Sequence, residues 1–257
     1  MKNYDLISKI LSNDLGDVKV DYFPSIDSTN IYIMDTSFTH KYHLCYADIQ
    51  THGRGQRGGK WVSNNNDNIY ATLGFRCDFN ISEVALSSLK IAIGVLDGIK
   101  KYMPANLHEY LKIKLPNDIY FQDKKLVGIL IETKNIKHDS FDIVIGFGIN
   151  VNMIDINESI DREWTSMAIL KGEICDDSQI LASVVTNIVK RLSDNKNITL
   201  TKFKECDYLH NKNITFYSDN IEYYGIYTGV SDELKIMVDC YDKLEFDISN
   251  INKVRIV

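Results

Sequence analysis

The sequence predicts an α/β protein with a small all-β module at its C-terminal end, on two observations. Up to residue 206, stretches with apolar residues at helical spacing alternate with β-branched runs of strand length. From about Asn211 onward only short alternating β segments remain. A length of 257 residues accommodates one large and one small unit. With 44% apolar residues, 15 Tyr and 10 Phe, the chain has material for a sizeable core.

Taken in order, a first helix is expected over 3–11, where Leu6, Ile7, Ile10 and Leu11 share a face ahead of the breakers Asn13-Asp14 and Gly16-Asp17. Ser28-Thr29-Asn30 stands where small hydroxyl and amide side chains cap a helix, just before Ile31-Tyr32-Ile33-Met34. A strand at 43–49 leads through Gln50-Thr51-His52 into the stretch GRGQRGGKW, 53–61, whose four glycines in seven residues exclude a regular element. A strand over 68–75 precedes a core helix over 84–102, carried by Leu86, Leu89, Ile93, Leu96 and Ile99. The strand 111–115 runs into Pro116-Asn117-Asp118, and 119–121 with 126–132 make a hairpin around a polar turn. The run DIVIGFGIN, 142–150, reads as a strand whose two late glycines let a helix or a ligand come close. Helical patterns follow over 178–192 and 200–206. After a boundary near Leu209, the segments 214–217, 221–230, 234–240, 243–248 and 254–257 fit a small barrel, which divides the chain into 1–209 and 210–257.

Charge and composition exclude several function classes. Lys plus Arg number 29 against 35 Asp plus Glu, and a pI near 5.5 is the opposite of a basic nucleic-acid footprint. The five cysteines show neither a CxxC nor a nearby Cys/His cluster, which argues against a disulfide framework and a structural zinc. No run of 18 uncharged apolar residues occurs, so a reduced, cytoplasmic protein with no membrane partner is expected.

The chemistry concentrates in the glycine-rich loop. Gly53-Arg54-Gly55-Gln56-Arg57-Gly58 satisfies G-x-G-x-x-G, yet no apolar helix or βαβ unit follows, as a dinucleotide site requires. A phosphate-binding P-loop also fails, because Arg54 and Trp61 stand where it needs Gly and Ser or Thr. What remains is a flexible loop bearing Arg54, Arg57 and Lys60, able to bring amide N–H groups and guanidinium forks to a phosphate or carboxylate, against the plainer alternative of a solvated turn. The segment Lys114 to Asp118, followed by Lys125 to Glu132, is a second candidate whose plainer reading is a structural turn with an exposed lysine.

Together these segments resemble the biotin protein ligases. The resemblance rests on Ser28-Thr29-Asn30, Gln50 with GRGQRGGKW, KLPNDIY (114–120), KLVGILIE (125–132) and GFGIN (146–150), in the family's order. It implies a class II synthetase-like catalytic domain on a mixed sheet, followed by an SH3-like β-barrel. It also implies a two-step reaction. Biotin and MgATP give biotinyl-5′-adenylate and pyrophosphate, and a lysine of a biotin carboxyl carrier protein, an acetyl-CoA carboxylase subunit, then attacks the adenylate. By the same resemblance Ser28, Thr29, Asn30 and Gln50 hold the biotin head with Gly53 beside them, and Gly55 and Gln56 close over the product. Arg54 and Lys125 contact carboxylate and phosphate, with Arg57, Lys60, Trp61 and Asn117 on the adenylate side. Asn117 and Asp118 shape the acceptor-lysine site, with Asp118 a candidate for its proton, so Arg54, Lys125 and Asp118 form the catalytic set. Gly128, Gly146 and Gly148 let the backbone approach the ligand, and Asn150 and Trp164 flank the adenine. The first step joins two anions, a barrier that Arg, Lys and Mg²⁺ lower by offsetting charge.

The chain departs from the family pattern at three points. Gln56 and Gly59 stand where the family often has Arg, which implies a leakier hold on the adenylate, and Leu115 replaces a Trp. Roughly 20 residues before the first motif cannot build the winged helix-turn-helix of bifunctional members, so a ligase without repressor function or DNA partner is expected. A lipoate ligase is disfavoured because its anion loop typically ends in His-Asp. A non-catalytic biotin binder is disfavoured because Arg54 and Lys125 are both present. A homodimer through an exposed sheet edge fits the reading, and the sequence singles out no metal ligands.

Overall fold

The computed structural model describes residues 3–63, 67–78, 80–155, 163–240, 242–248 and 250–257. The Asn64-Asn65-Asn66 run lies outside them. The first helix, α1 (Tyr4–Leu15), is capped by Asn3, whose carboxamide accepts from the Leu6 N–H at 3.0 Å. It runs one turn beyond the expected end, because Asn13 and Asp14 face out of the last turn and only Gly16, at φ +79°, stops it. The next strand, β1 (Val18–Ile26), was not expected, since it contains Pro24. Its place at a sheet edge tolerates the missing N–H.

Helix α2 (Thr29–Asp35) follows its cap Ser28, then come β2 (Tyr42–Gln50), β3 (Ile69–Cys77) and α3 (Val84–Lys100). Strands β4 (Leu111–Lys114), β5 (Asp118–Phe121), β6 (Lys124–Lys134) and β7 (Phe141–Ile149) complete a sheet ordered β1-β2-β3-β7-β6-β5-β4. Only the β1–β2 pair is parallel, so the sheet is mixed. A short helix α4 (Met167–Lys171), missed because five residues carry no period, precedes α5 (Asp177–Leu192) and α6 (Lys196–Cys206).

Alternation sorts side chains to the two faces. Residues 143, 145, 147 and 149 of β7 face the core shared with α3 and α5, while Val144 packs beneath α2 with Ile33 and Cys45. With both faces covered, every residue of β7 is buried. Gly94 and Gly98 let α3 meet α5 backbone to backbone. A Cβ at either would lie 2.6 Å and 2.5 Å from Cα of Ile188 and Val184.

The C-terminal strands β8 (Asn213–Ser218), β9 (Ile221–Val230), β10 (Lys235–Asp239), β11 (Lys243–Asp247) and β12 (Ile251–Ile256) form a second, antiparallel sheet in the order β11-β10-β9-β8-β12. Residues 251 and 252 belong to the last strand rather than to the expected turn. Phe246 of β11 meets Phe216 of β8 edge-on at 4.9 Å, although two strands separate them, so the sheet curls over its own core as an SH3-like module does. That core continues into the first one, with Phe216, Tyr227 and Ile251 in the same apolar cluster as Ile113 and Phe203.

Candidate active site

A cavity of about 1100 Å³ opens on the sheet face that α2 only partly covers. Its walls are the start of α2, the glycine-rich loop, β3, β6 and β7, the turn before β5 and the edge strand β12. Among the described residues it is lined by six cations (Arg54, Lys60, Lys114, Lys125, Lys253 and Arg255) and one carboxylate, Asp118. A chain of net charge −6 has gathered positive charge here, the electrostatics of an anion site.

One end is a hydrogen-bond cluster of small polar groups. Ser28 caps α2, its hydroxyl accepting from the Ile31 N–H at 3.4 Å. The Thr29 N–H and hydroxyl both donate to Gln50 Oε1, at 2.9 and 3.0 Å, and Thr72 Oγ1 lies 2.9 Å from Thr29 Oγ1. The Gln50 N–H donates to the Ser63 hydroxyl at 3.1 Å. Asn30 accepts at Oδ1 from Arg54, while its amide nitrogen is buried with no acceptor among the described residues. Lys134 fixes the far end of α2 by donating to the carbonyls of Ile33, Met34 and Thr36 at 2.7, 2.8 and 2.5 Å. Burial there pulls the lysine below its ordinary pKa.

The glycine-rich loop is more ordered than its composition implied. Arg54 and Lys60 pair as an antiparallel bridge, and the Gly55 N–H donates to the Gly59 carbonyl at 2.7 Å around the one-turn helix Gln56–Gly58. Gly58 takes φ +76°, so a residue with a side chain would be strained at the tip. The Trp61 N–H donates to the Gly53 carbonyl at 2.9 Å, which turns the indole inward. There the ring lies on the floor made by Gly128 and Gly148, where any side chain would displace it. Its N–H is buried and has no acceptor among the described residues.

A register shift places the lysine. In the β5–β6 pairing Ile119 opposes Val127 but Tyr120 opposes Lys125, so Leu126 is an extra residue. Without that bulge, alternation would send Lys125 to the face opposite Gly128. With it, Lys125 enters the cavity, 2.7 Å from Asp118 Oδ1 and 5.4 Å from the Trp61 ring. The pair is well shielded, with side-chain exposures of 13% and 19%. Arg54 is held by Glu132 through both terminal nitrogens, at 3.0 and 3.2 Å, and donates to Asn30 Oδ1 at 2.8 Å.

Of the site residues singled out from the sequence, Ser28, Thr29, Asn30, Gln50, Arg54, Gly55, Gln56, Lys60, Trp61, Asn117, Asp118, Lys125, Gly128, Asn150 and Trp164 all line this cavity. Gly53 sits behind Trp61, and Arg57 lends its backbone to the loop turn, its side chain lying outside the described parts. Asn117 and Asn150 spend their amides on neighbouring backbone. Asn117 donates to the Ile129 carbonyl, and Asn150 Nδ2 to that of Thr165 at 3.0 Å. Trp164 is half-buried beside Lys125, whose N–H and carbonyl bond to Glu163 and Thr165. Sequence reading missed Ser63, Thr72, Glu132, Lys253 and Arg255. Thr72, a polar residue inside the apolar strand YATLGF, was the one with a visible signal.

Comparison with known proteins agrees with this arrangement. Residues 22–150 match the family model described as the Biotin/lipoate A/B protein ligase family. The chain is 29% identical over 241 residues to the bifunctional ligase/repressor BirA of Escherichia coli, covering 91% of this chain and 73% of that one. It is 28% identical over 152 residues to the biotin–[acetyl-CoA-carboxylase] ligase of Mycobacterium tuberculosis, covering 59% and 54%. Among solved structures, the biotin protein ligase of Aquifex aeolicus in complex with biotin and ATP superposes with a TM-score of 0.76 at 22% identity, over 93% of this chain and 99% of that one. That likeness shows a shared fold. With the matching model spanning half of the sequence and the motifs meeting in one cavity, the chain belongs to the biotin/lipoate A/B protein ligase family.

Proposed function

We propose that the chain is a biotin protein ligase, which activates biotin with MgATP to biotinyl-5′-adenylate and transfers the biotinyl group to a lysine of a biotin carboxyl carrier protein. The observation that carries the reading is a cavity with two unlike ends. Neutral donors and acceptors from Ser28, Thr29, Asn30 and Gln50 suit a ureido ring, and cations suit a carboxylate and phosphates. Two buried donors without acceptors, on Asn30 and Trp61, fit a ligand with oxygens to offer, since a buried unpaired N–H costs about 1–3 kcal/mol.

In this reading Arg54 and Lys125 hold the carboxylate and the α-phosphate together and offset the charge that develops between them. Lys125 trades its ion pair with Asp118 for the phosphate, and Asp118 accepts the proton of the incoming lysine. Trp61 excludes water above the glycine floor. Lys253 and Arg255 add charge from the C-terminal sheet. Magnesium bound with ATP would offset the charge on its phosphates alongside Arg54 and Lys125. The division into a catalytic unit, 1–209, and an SH3-like unit, 210–257, belongs to the same reading, supported by the two separate sheets. So does an acetyl-CoA carboxylase carrier as partner, in line with the name of the mycobacterial relative, and net charge −6 argues against DNA as another.

Mass spectrometry of a carrier domain incubated with the protein, biotin and MgATP tests this. One biotinyl group is expected to be added, dependent on ATP and lost in Lys125→Ala by about 10²-fold or more. Modification by lipoate instead of biotin would overturn it.

A further inference from the structure

Glu132 carries no role in the mechanism above, yet it makes a two-point contact with Arg54. It lies on β6 with Gly128 and Leu130, on the face that alternation turns toward the cavity. Its two oxygens take one N–H from each terminal nitrogen of Arg54, Nη2 to Oε1 at 3.0 Å and Nη1 to Oε2 at 3.2 Å. The second Nη1 hydrogen goes to Asn30 Oδ1 at 2.8 Å. Among the described residues, three of the five guanidinium donors are therefore spoken for. The two that remain, Nε–H and the Nη2–H beside it, are parallel and form the other bidentate fork of arginine.

We infer that Glu132 is the positioning residue of Arg54: it occupies the end-on fork and so presents the side-on fork to an oxyanion of the ligand. This rests on the ligase reading, in which that oxyanion is the biotin carboxylate or the phosphate joined to it. Stability is not what the pair supplies. With 39% of the Arg54 side chain and 27% of Glu132 exposed, the ion pair is open to solvent and contributes little to folding. What it supplies is orientation, since an arginine free to rotate loses the fork geometry that makes bidentate binding selective. Asn30 adds the second anchor and joins the arginine to the cluster at the neutral end of the cavity.

The test is calorimetric titration of biotin and of biotinamide, whose carboxamide is neutral, into wild type, Glu132→Gln, Glu132→Asp and Arg54→Lys, with melting curves for each. Glu132→Gln is expected to weaken biotin by roughly tenfold or more, the scale of a lost charge-assisted hydrogen bond. Biotinamide should weaken by less than about threefold, and the melting temperature should barely move. Glu132→Asp, which keeps the charge at a shorter reach, should recover part of the loss. In the Arg54→Lys background, Glu132→Gln should add less than about threefold, because its effect passes through the guanidinium. Biotin bound equally or more tightly by Glu132→Gln, or equal losses for both ligands, would overturn the inference alone. Wild type that binds neither ligand overturns the ligase reading and the inference with it.

Discussion

The glycine floor is most directly probed by Gly128→Ala. A Cβ on residue 128 would stand 2.5 Å from Trp61 Cζ3 and 3.2 Å from Lys125 Nζ. Carbon atoms settle at about 3.5–4.0 Å from one another, so the indole has to retreat by about 1 Å and the ammonium has to shift. The backbone is no obstacle, because Gly128 pairs in register with both Asp118 and Gly148 and is not among the glycines with positive φ. Alanine there even gains about 0.4–1 kcal/mol by restricting the unfolded chain. Against that stands overpacking of about 1–3 kcal/mol, leaving a net loss of about 0–2.5 kcal/mol. For a chain of this size that is a fall of a few degrees in melting temperature, about 2–4 °C per kcal/mol. Catalysis should suffer far more, since about 1 Å of misplacement costs on the order of 10²-fold. Biotin-dependent exchange of pyrophosphate into ATP measures the adenylation step. Emission from Trp61, isolated in a Trp164→Phe background, reports the ring. Exchange within about threefold of the parent with unchanged Trp61 emission would refute the seat assigned to the indole and the role given to it.

Two further outcomes are expected. Gln56→Arg restores a cation that the family loop often carries, at a position that lines the cavity, and should slow release of biotinyl-adenylate by roughly tenfold. A stopped-flow or filter chase would read it, and an off-rate equal to or faster than that of the wild type would refute the leaky-loop expectation. Asp207, bridged to Ile113 where the catalytic sheet meets the C-terminal unit, has its carboxyl pushed by burial up to about 6 from 3.8, despite a bond from the Leu209 N–H. The folded state then holds a proton that the unfolded chain releases, so this group's stabilisation is complete below about pH 4, declines as pH rises toward 6 and is lost above it. Asp207→Asn removes the decline. Its stability relative to wild type should be near zero at pH 4 and grow to as much as about 3 kcal/mol by pH 7, read from denaturant melts. A difference independent of pH would rule the carboxyl out as its source.

Elements with a strong local period were readable in the sequence. Helices α3 and α5 declare themselves through apolar spacing, the β5–β6 hairpin through its polar turn, and the C-terminal strands through their alternation. The glycine-rich loop and Lys125 were legible as chemistry because arginine among glycines has few other uses, and the order of motifs tied them to one family. Other features depended on partners far along the chain. Strand β1 contains a proline and becomes a strand because an edge leaves that N–H unneeded. The bulge at Leu126 arises in the pairing with β5, and it alone turns Lys125 to the same face as Gly128. Glu132 meets Arg54 across 78 residues, and Lys253 and Arg255 reach the cavity from a second sheet. Residue types and local periodicity thus determined which elements and which chemistry the chain holds. Tertiary structure decided which face each reactive group occupies and which counter-ion orients it, because pairing register and contacts across distant strands are set by packing of the whole chain and leave no local period to read.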